Sequence, residues 1–173
     1  MRNLRELVGL ARNIKKSKMI DINFDCEKKF QTIRLQKFVK NCVSQVVGII
    51  DKKKNFYVSI YLTNNDKIKE INSEYRKIDK VTNVLSFPQN EERMITKSKK
   101  QFILGDVVIS LEKISMEAME QKKSFWDHLL HMIIHSILHL FGYDHQNDKE
   151  ALLMEKAEKQ ILVKFLKKEN KSL

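Results

Sequence analysis

The apolar positions change period several times along the chain, and each change marks an element. Met19-Ile20-Asp21-Ile22-Asn23-Phe24 alternates apolar and polar as a half-buried strand does. From Thr32 to Gly48, Ile33, Leu35, Phe38, Val39, Cys42, Val43, Val46 and Val47 recur at helical spacing, which predicts a helix with Gly48 at its end. Phe56 to Leu62 is a second strand by its β-branched and aromatic content. Asn64 or Asn65 can cap a helix running to about Arg76, with Ile68 and Ile71 turned inward. Val84 to Phe87 reads as a third strand, closed by Pro88, the one proline of the chain. Residues 89–101 lack a period and carry charge of both signs, the pattern of a mobile loop. A fourth strand, Phe102 to Ile109, leads to Ser110, a good cap for a helix from Leu111 to about Lys122. Asn147 or Asp148 caps a last helix whose Leu153, Ala157, Ile161 and Phe165 form a core stripe, with Glu155 set to pair with Lys159. Residues 2–16 form a short basic amphipathic helix, expected to pack on the body; contact with RNA phosphates is the alternative.

Between the last two of these helices lies the most uneven stretch, DHLLHMIIHSILHLFGYDH at 127–145, which holds all five histidines. At helical pitch His128, His131, His135 and His139 fall within an arc of about 80°. Leu, Ile, Met and Phe cover nearly every other side, so the helix should be buried, and Gly142 is its natural stop. His135-x3-His139-x5-His145 suits a catalytic zinc site, with two ligands one turn apart, a third from the following turn and a fourth position left for water. The same spacing occurs in HExxHxxGxxH zinc peptidases, where a glutamate after the first histidine is the general base. Ser136 stands at that position and cannot accept the proton. A zinc peptidase is therefore the second choice.

Length and charge narrow the class. With 173 residues the chain suits one domain with one sizeable core. The apolar run around the histidines is shorter than the ~20 residues needed to cross a bilayer. The basic N-terminus lacks a secretory apolar segment with a small-residue cleavage site. Two cysteines, Cys26 and Cys42, outside any motif, fit a reducing cytoplasm. A formal charge of +11 makes a polyanion the expected partner, with nucleic acid foremost.

Three blocks together resemble the YbeY family, bacterial rRNA maturation factors that act as metal-dependent endoribonucleases: NSEYRKIDKVTNVLSFP at 72–88, LGDVVIS at 104–110 and HMIIHSILHLFGYDH at 131–145. The resemblance covers about residues 19–166. It implies an α+β fold in a single domain, a small mixed four-stranded sheet packed by about six helices, with the metal site in a cleft at the end of the histidine helix. Residues 1–18 are then a basic extension or helix, and 19–173 the metallo-endoribonuclease domain. Its three zinc ligands fall on His135, His139 and His145, and its motif arginine on Arg76. Ser136 stands where the family more often has glycine. The implied activity is cleavage of single-stranded RNA with one Zn²⁺ ion, in 16S rRNA 3′-end processing and ribosome quality control. The implied partners are rRNA and the small ribosomal subunit, with neither DNA nor a membrane expected. A non-catalytic ribosome-assembly factor with a structural metal is a third reading, although such sites are normally closed by four protein ligands.

For the site, Arg76 is expected to offer its planar fork to the scissile phosphate, with an ion pair to Asp79 or Asp106 as the plain alternative. Asp144 is a candidate acceptor for a ligand imidazole, with a surface turn as the alternative. His131 can touch substrate, shuttle a proton or be buried behind the ligands. His128 is assigned to packing or solvent rather than to the metal. No carboxylate stands out as general base.

Overall fold

A computed structural model describes residues 20–52, 55–89 and 101–169. The expected helix over 2–16 and nearly all of the expected loop at 89–101 lie outside the described residues. In chain order the elements are β1 (Ile20–Cys26), a 3-10 turn (Lys28–Phe30), α1 (Ile33–Ile50), β2 (Asn55–Thr63), α2 (Asn65–Arg76), β3 (Val84–Pro88), β4 (Gln101–Ser110), α3 (Leu111–Glu120), α4 (Phe125–Leu140) and α5 (Asp148–Glu169). The four strands form one mixed sheet in the order β1-β2-β4-β3, parallel except for β3, which runs antiparallel to β4. This is the expected α+β fold, with five α-helices among the described residues.

Alternation along β2 divides the sheet's two faces. Phe56, Val58, Ile60 and Leu62 join Val107 and Ile109 of β4 in the main core under α1 and α4. On the opposite face Tyr61 and Val108 pack with Leu85, Phe87 and the Ile68 and Ile71 stripe of α2. β3 is an edge strand, and Pro88 stands at its end, where a missing N–H costs no sheet bond. Opposite Pro88 lies Gly105, at φ +136°, just beyond a register shift between β2 and β4. A Cβ there would lie 2.2 Å from the Phe87 carbonyl oxygen, so only glycine lets β3 close on β4.

Among the caps, Asn64, Ser110 and Asn147 are predicted residues, while Thr32 and Ser124 are added by the structure. Thr32, Asn64, Ser110, Ser124 and Asn147 each accept a backbone N–H of the helix they open. Two expectations need correction. α1 does not stop at Gly48 but runs to Ile50, because Ile49 and Ile50 still find the core, while Gly48 lies close to Ile20 of β1. On α5 the stripe is one residue out of phase at its start: Leu153 is 54% exposed and Met154 only 2%. Met154, Ala157, Ile161 and Phe165 therefore face the core, and that phase also turns Glu158 inward.

Candidate metal centre

α4 is buried by Leu129, Leu130, Met132, Ile133, Ile134, Ile137, Leu138 and Leu140, which leaves a single strip for polar groups. Gly142, at φ +88°, ends it: Gly142 N–H donates to His139 O at 3.0 Å and Tyr143 N–H to Leu138 O at 3.1 Å. Asp144 then accepts the backbone N–H of His145 at 2.8 Å and the Gln146 amide at 2.8 Å, which bends the chain back over the helix end. The bend brings His145 beside the two helical histidines. Ring centroids lie 4.6 Å apart for His135 and His139, 5.0 Å for His139 and His145, and 5.5 Å for His135 and His145.

One nitrogen from each of the three rings lies within 4.8 Å of the others. His135 Nδ1 is 2.8 Å from Glu158 Oε1, so a proton on Nδ1 leaves Nε2 bare toward its neighbours. His139 has a backbone hydrogen bond at Tyr143, and its Nε2 lies 3.1 Å from His135 Nε2. Two lone pairs facing each other at this distance repel unless a cation stands between them. Ligand nitrogens around a tetrahedral ion with bonds of about 2.0–2.1 Å sit about 3.3 Å apart, close to the spacing seen. Burial, and then the neighbouring His135 and His145, push the His139 pKa below its ordinary value, which favours the neutral, ligating form. The donor set therefore fits a divalent ion, and His135, His139 and His145 are the residues that can hold it.

Glu158 was not anticipated. Burial alone would raise its pKa, but hydrogen bonds from His131, at 3.3 Å, and His135 outweigh this and bring the carboxyl down to about 2. The signal for it was an acid on the inward stripe of α5, hidden by the phase error at Leu153. Glu158 takes the part expected of Asp144, whose carboxyl stays 4.0 Å from His139 Nδ1 and serves the turn instead. His131 shares the Glu158 carboxylate and is 41% exposed, behind the three rings rather than among them. His128 is buried, and its Nε2 lies 2.8 Å from Glu117 Oε2. Ser136 is fully buried and donates to the Met132 carbonyl at 2.6 Å, turned away from the rings.

The three histidines form one side of a cleft of about 880 Å³; the other is the segment from Asn72 to Pro88, including Arg76, Lys80 and Asn83. Arg76 is the last residue of α2, because Lys77 turns left-handed at φ 61°. Its Nη2 donates to Ser86 O at 2.9 Å, and the guanidinium stands 5.9 Å from the Phe87 ring. The two carboxylates considered as partners for it are engaged elsewhere. Asp79 pairs with Lys69 at 3.4 Å, and Asp106 bonds to Ser59.

The chain that carries this site has relatives of known description. A family model described as Endoribonuclease YbeY matches residues 21–166. The chain belongs to the YbeY family. An Endoribonuclease YbeY of Bartonella bacilliformis is 48% identical over 115 residues, 62% of this chain and 67% of that protein. One from Neorickettsia sennetsu is 42% identical over 131 residues, 76% of this chain and 82% of that protein. The solution structure of TM1509 from Thermotoga maritima superposes with a TM-score of 0.60 at 28% identity, covering 87% of this chain and 93% of that one. The YbeY match spans β1 through most of α5, so the triad, Glu158 and Arg76 all lie within it.

Proposed function

We propose that this YbeY-family chain is a metal-dependent endoribonuclease that cuts single-stranded RNA, zinc being the simplest metal for three neutral nitrogens. The observation that carries the reading is the convergence of His135, His139 and His145 in a cleft whose facing wall presents Arg76. Relatives described as endoribonucleases, at 42–48% identity, support the substrate class. Maturation of rRNA at the small-subunit 3′ end, ribosome quality control and a cytoplasmic setting complete the proposal. The buried Cys26 and Cys42 agree with a reducing compartment, and no described helix is long and apolar enough to cross a membrane.

When bound, the ion supplies Lewis acidity to a phosphoryl oxygen and lowers the pKa of water toward ~7. The protein's own groups do the rest. Glu158 keeps the His135 proton on Nδ1 and so aims Nε2 into the cleft. Arg76, tethered through one nitrogen to Ser86, keeps its remaining N–H donors for the phosphate and the charge that develops on it. Lys80 on the same wall adds attraction for the backbone.

Metal-loaded wild type, His139→Ala and Arg76→Ala are offered single-stranded RNA, duplex RNA and casein. The proposal requires cleavage of the single strand by the wild type, its loss in His139→Ala and a large but measurable fall in Arg76→Ala. Cleavage of casein instead of RNA would replace it with the peptidase reading, and equal RNA cleavage by all three proteins would remove both.

A further inference from the structure

The histidine helix meets the arginine wall through a group outside the cleft. Glu117, on α3 and 16% exposed at its side chain, puts one oxygen, Oε2, between two donors. His128 Nε2 lies 2.8 Å from it and Asn83 Nδ2 3.0 Å, while the second oxygen, Oε1, faces Lys113 Nζ at 3.7 Å. His128 is about two turns, roughly 10 Å, before His135 on α4, too far back to reach a shared metal. Its buried Nδ1 has no hydrogen-bond partner among the described residues, so the proton belongs on Nε2 and points at Glu117. Asn83 immediately precedes β3, and its carbonyl accepts the Ser110 N–H at 2.9 Å. Three residues later Ser86 holds Arg76. Asn72 braces the intervening turn by donating to Lys80 O at 2.8 Å.

We propose that Glu117 is a positioning residue: by binding His128 and Asn83 at once, it sets where the Arg76 wall stands relative to the triad. The assignment rests on the RNA-cleaving reading above for its kinetic consequence. A carboxylate is needed because both oxygens face donors. A glutamine that turns its amide NH₂ toward His128 and Asn83 breaks both links, and one that turns it toward Lys113 leaves them a neutral oxygen in place of the carboxylate and weakens both, at nearly unchanged volume. The cleft then stays intact at each side, but the two sides lose their register.

The test compares metal-loaded wild type, Glu117→Gln, Arg76→Ala and the double variant on single-stranded RNA. Glu117→Gln is expected to lose about 10- to 100-fold in kcat with KM changed by less than about twofold, since a misplacement of an ångström or so has that effect. Metal content measured by atomic emission stays at the wild-type level. In the Arg76→Ala background the same change costs less than about twofold, because the group it positions is gone. Wild-type kcat in Glu117→Gln, or an equal loss in both backgrounds, overturns the proposal. If Glu117→Gln does not fold, Asn83→Ala cuts the same link from the other side and is judged by the same numbers. A second readout needs no turnover: the side-chain Nε–H resonance of Arg76 should be ordered in the wild type and averaged in the variant. If the wild type leaves RNA intact, the RNA reading has failed, and that resonance alone decides whether Glu117 positions Arg76. Identical Arg76 order in both proteins overturns it.

Discussion

His128 and His139 lie on one strip of one helix, about three turns apart, and the fold uses them in opposite ways. At the start of α4 the strip is covered by α3, and His128 is sealed with one nitrogen on Glu117 and the other without a partner among the described residues. At its end the strip opens into the cleft. There His135 also has a carboxylate partner, Glu158, but keeps its second nitrogen facing two more rings. Both ends therefore pair a histidine with a glutamate, and the pairing does not distinguish structure from chemistry. Access to the other ring nitrogen does.

The comparison can be broken or sharpened by substitution. His139→Ala should remove metal binding and lower RNA cleavage by more than about 100-fold, beyond what loss of a supporting group costs; equilibrium dialysis with Zn²⁺ and turnover measure the two losses. His128→Ala should instead cost about 2–4 kcal/mol of stability in urea unfolding, through the cavity and the unpaired Glu117, and leave metal stoichiometry intact. Should His128→Ala lose the metal, the two ends of the helix are not separate. Glu158→Gln should weaken metal affinity by about 10- to 100-fold, because the His135 tautomer is no longer held.

Acid provides a milder probe. Burial raises the Glu117 pKa, but the hydrogen bonds of His128 and Asn83 outweigh it and leave the carboxyl below its ordinary value. A depressed folded value means that its stabilisation is present above the unfolded glutamate pKa of about 4.3 and fades as pH falls through the folded value. The stability gap between wild type and Glu117→Gln should accordingly be full at neutral pH and narrow in acid; a gap that widens on acidification contradicts the assignment. The smallest effect is expected at Glu155 and Lys159, 2.6 Å apart on the exposed side of α5, where Lys159→Ala should change stability by less than about 0.5 kcal/mol.

The triad was legible because its spacing is local. His135 and His139 are one turn apart on a helix that its apolar residues define, and Gly142 forces the bend that returns His145. The caps at Asn64, Ser110 and Asn147 were legible for the same reason, each being satisfied within three residues. Glu158 and Glu117 were not. Each acts across a helix–helix contact, and their partners lie 23 and 11 residues away on α4. Reading the α5 stripe from Leu153 rather than Met154 misplaced its first residue by about 100° around the helix, while Ala157, Ile161 and Phe165 kept their face, and so missed that Glu158, one turn after Met154, also points inward. Asp144 misled in the other direction: adjacency to His145 in the chain put its carboxyl on the turn's backbone, not on an imidazole.

By itself the amino-acid sequence determined the order of elements, the histidine spacing and the basic character of the chain, since periodicity, capping and charge act over a few residues or on the whole composition. Only the tertiary structure decided which histidine nitrogens face open space, which glutamates stand behind them and how Arg76 is carried to the opposite wall. Those outcomes depend on which faces of α3, α4, α5 and the sheet meet. Burial and hydrogen-bond satisfaction across the whole core settle that, and no single segment encodes it.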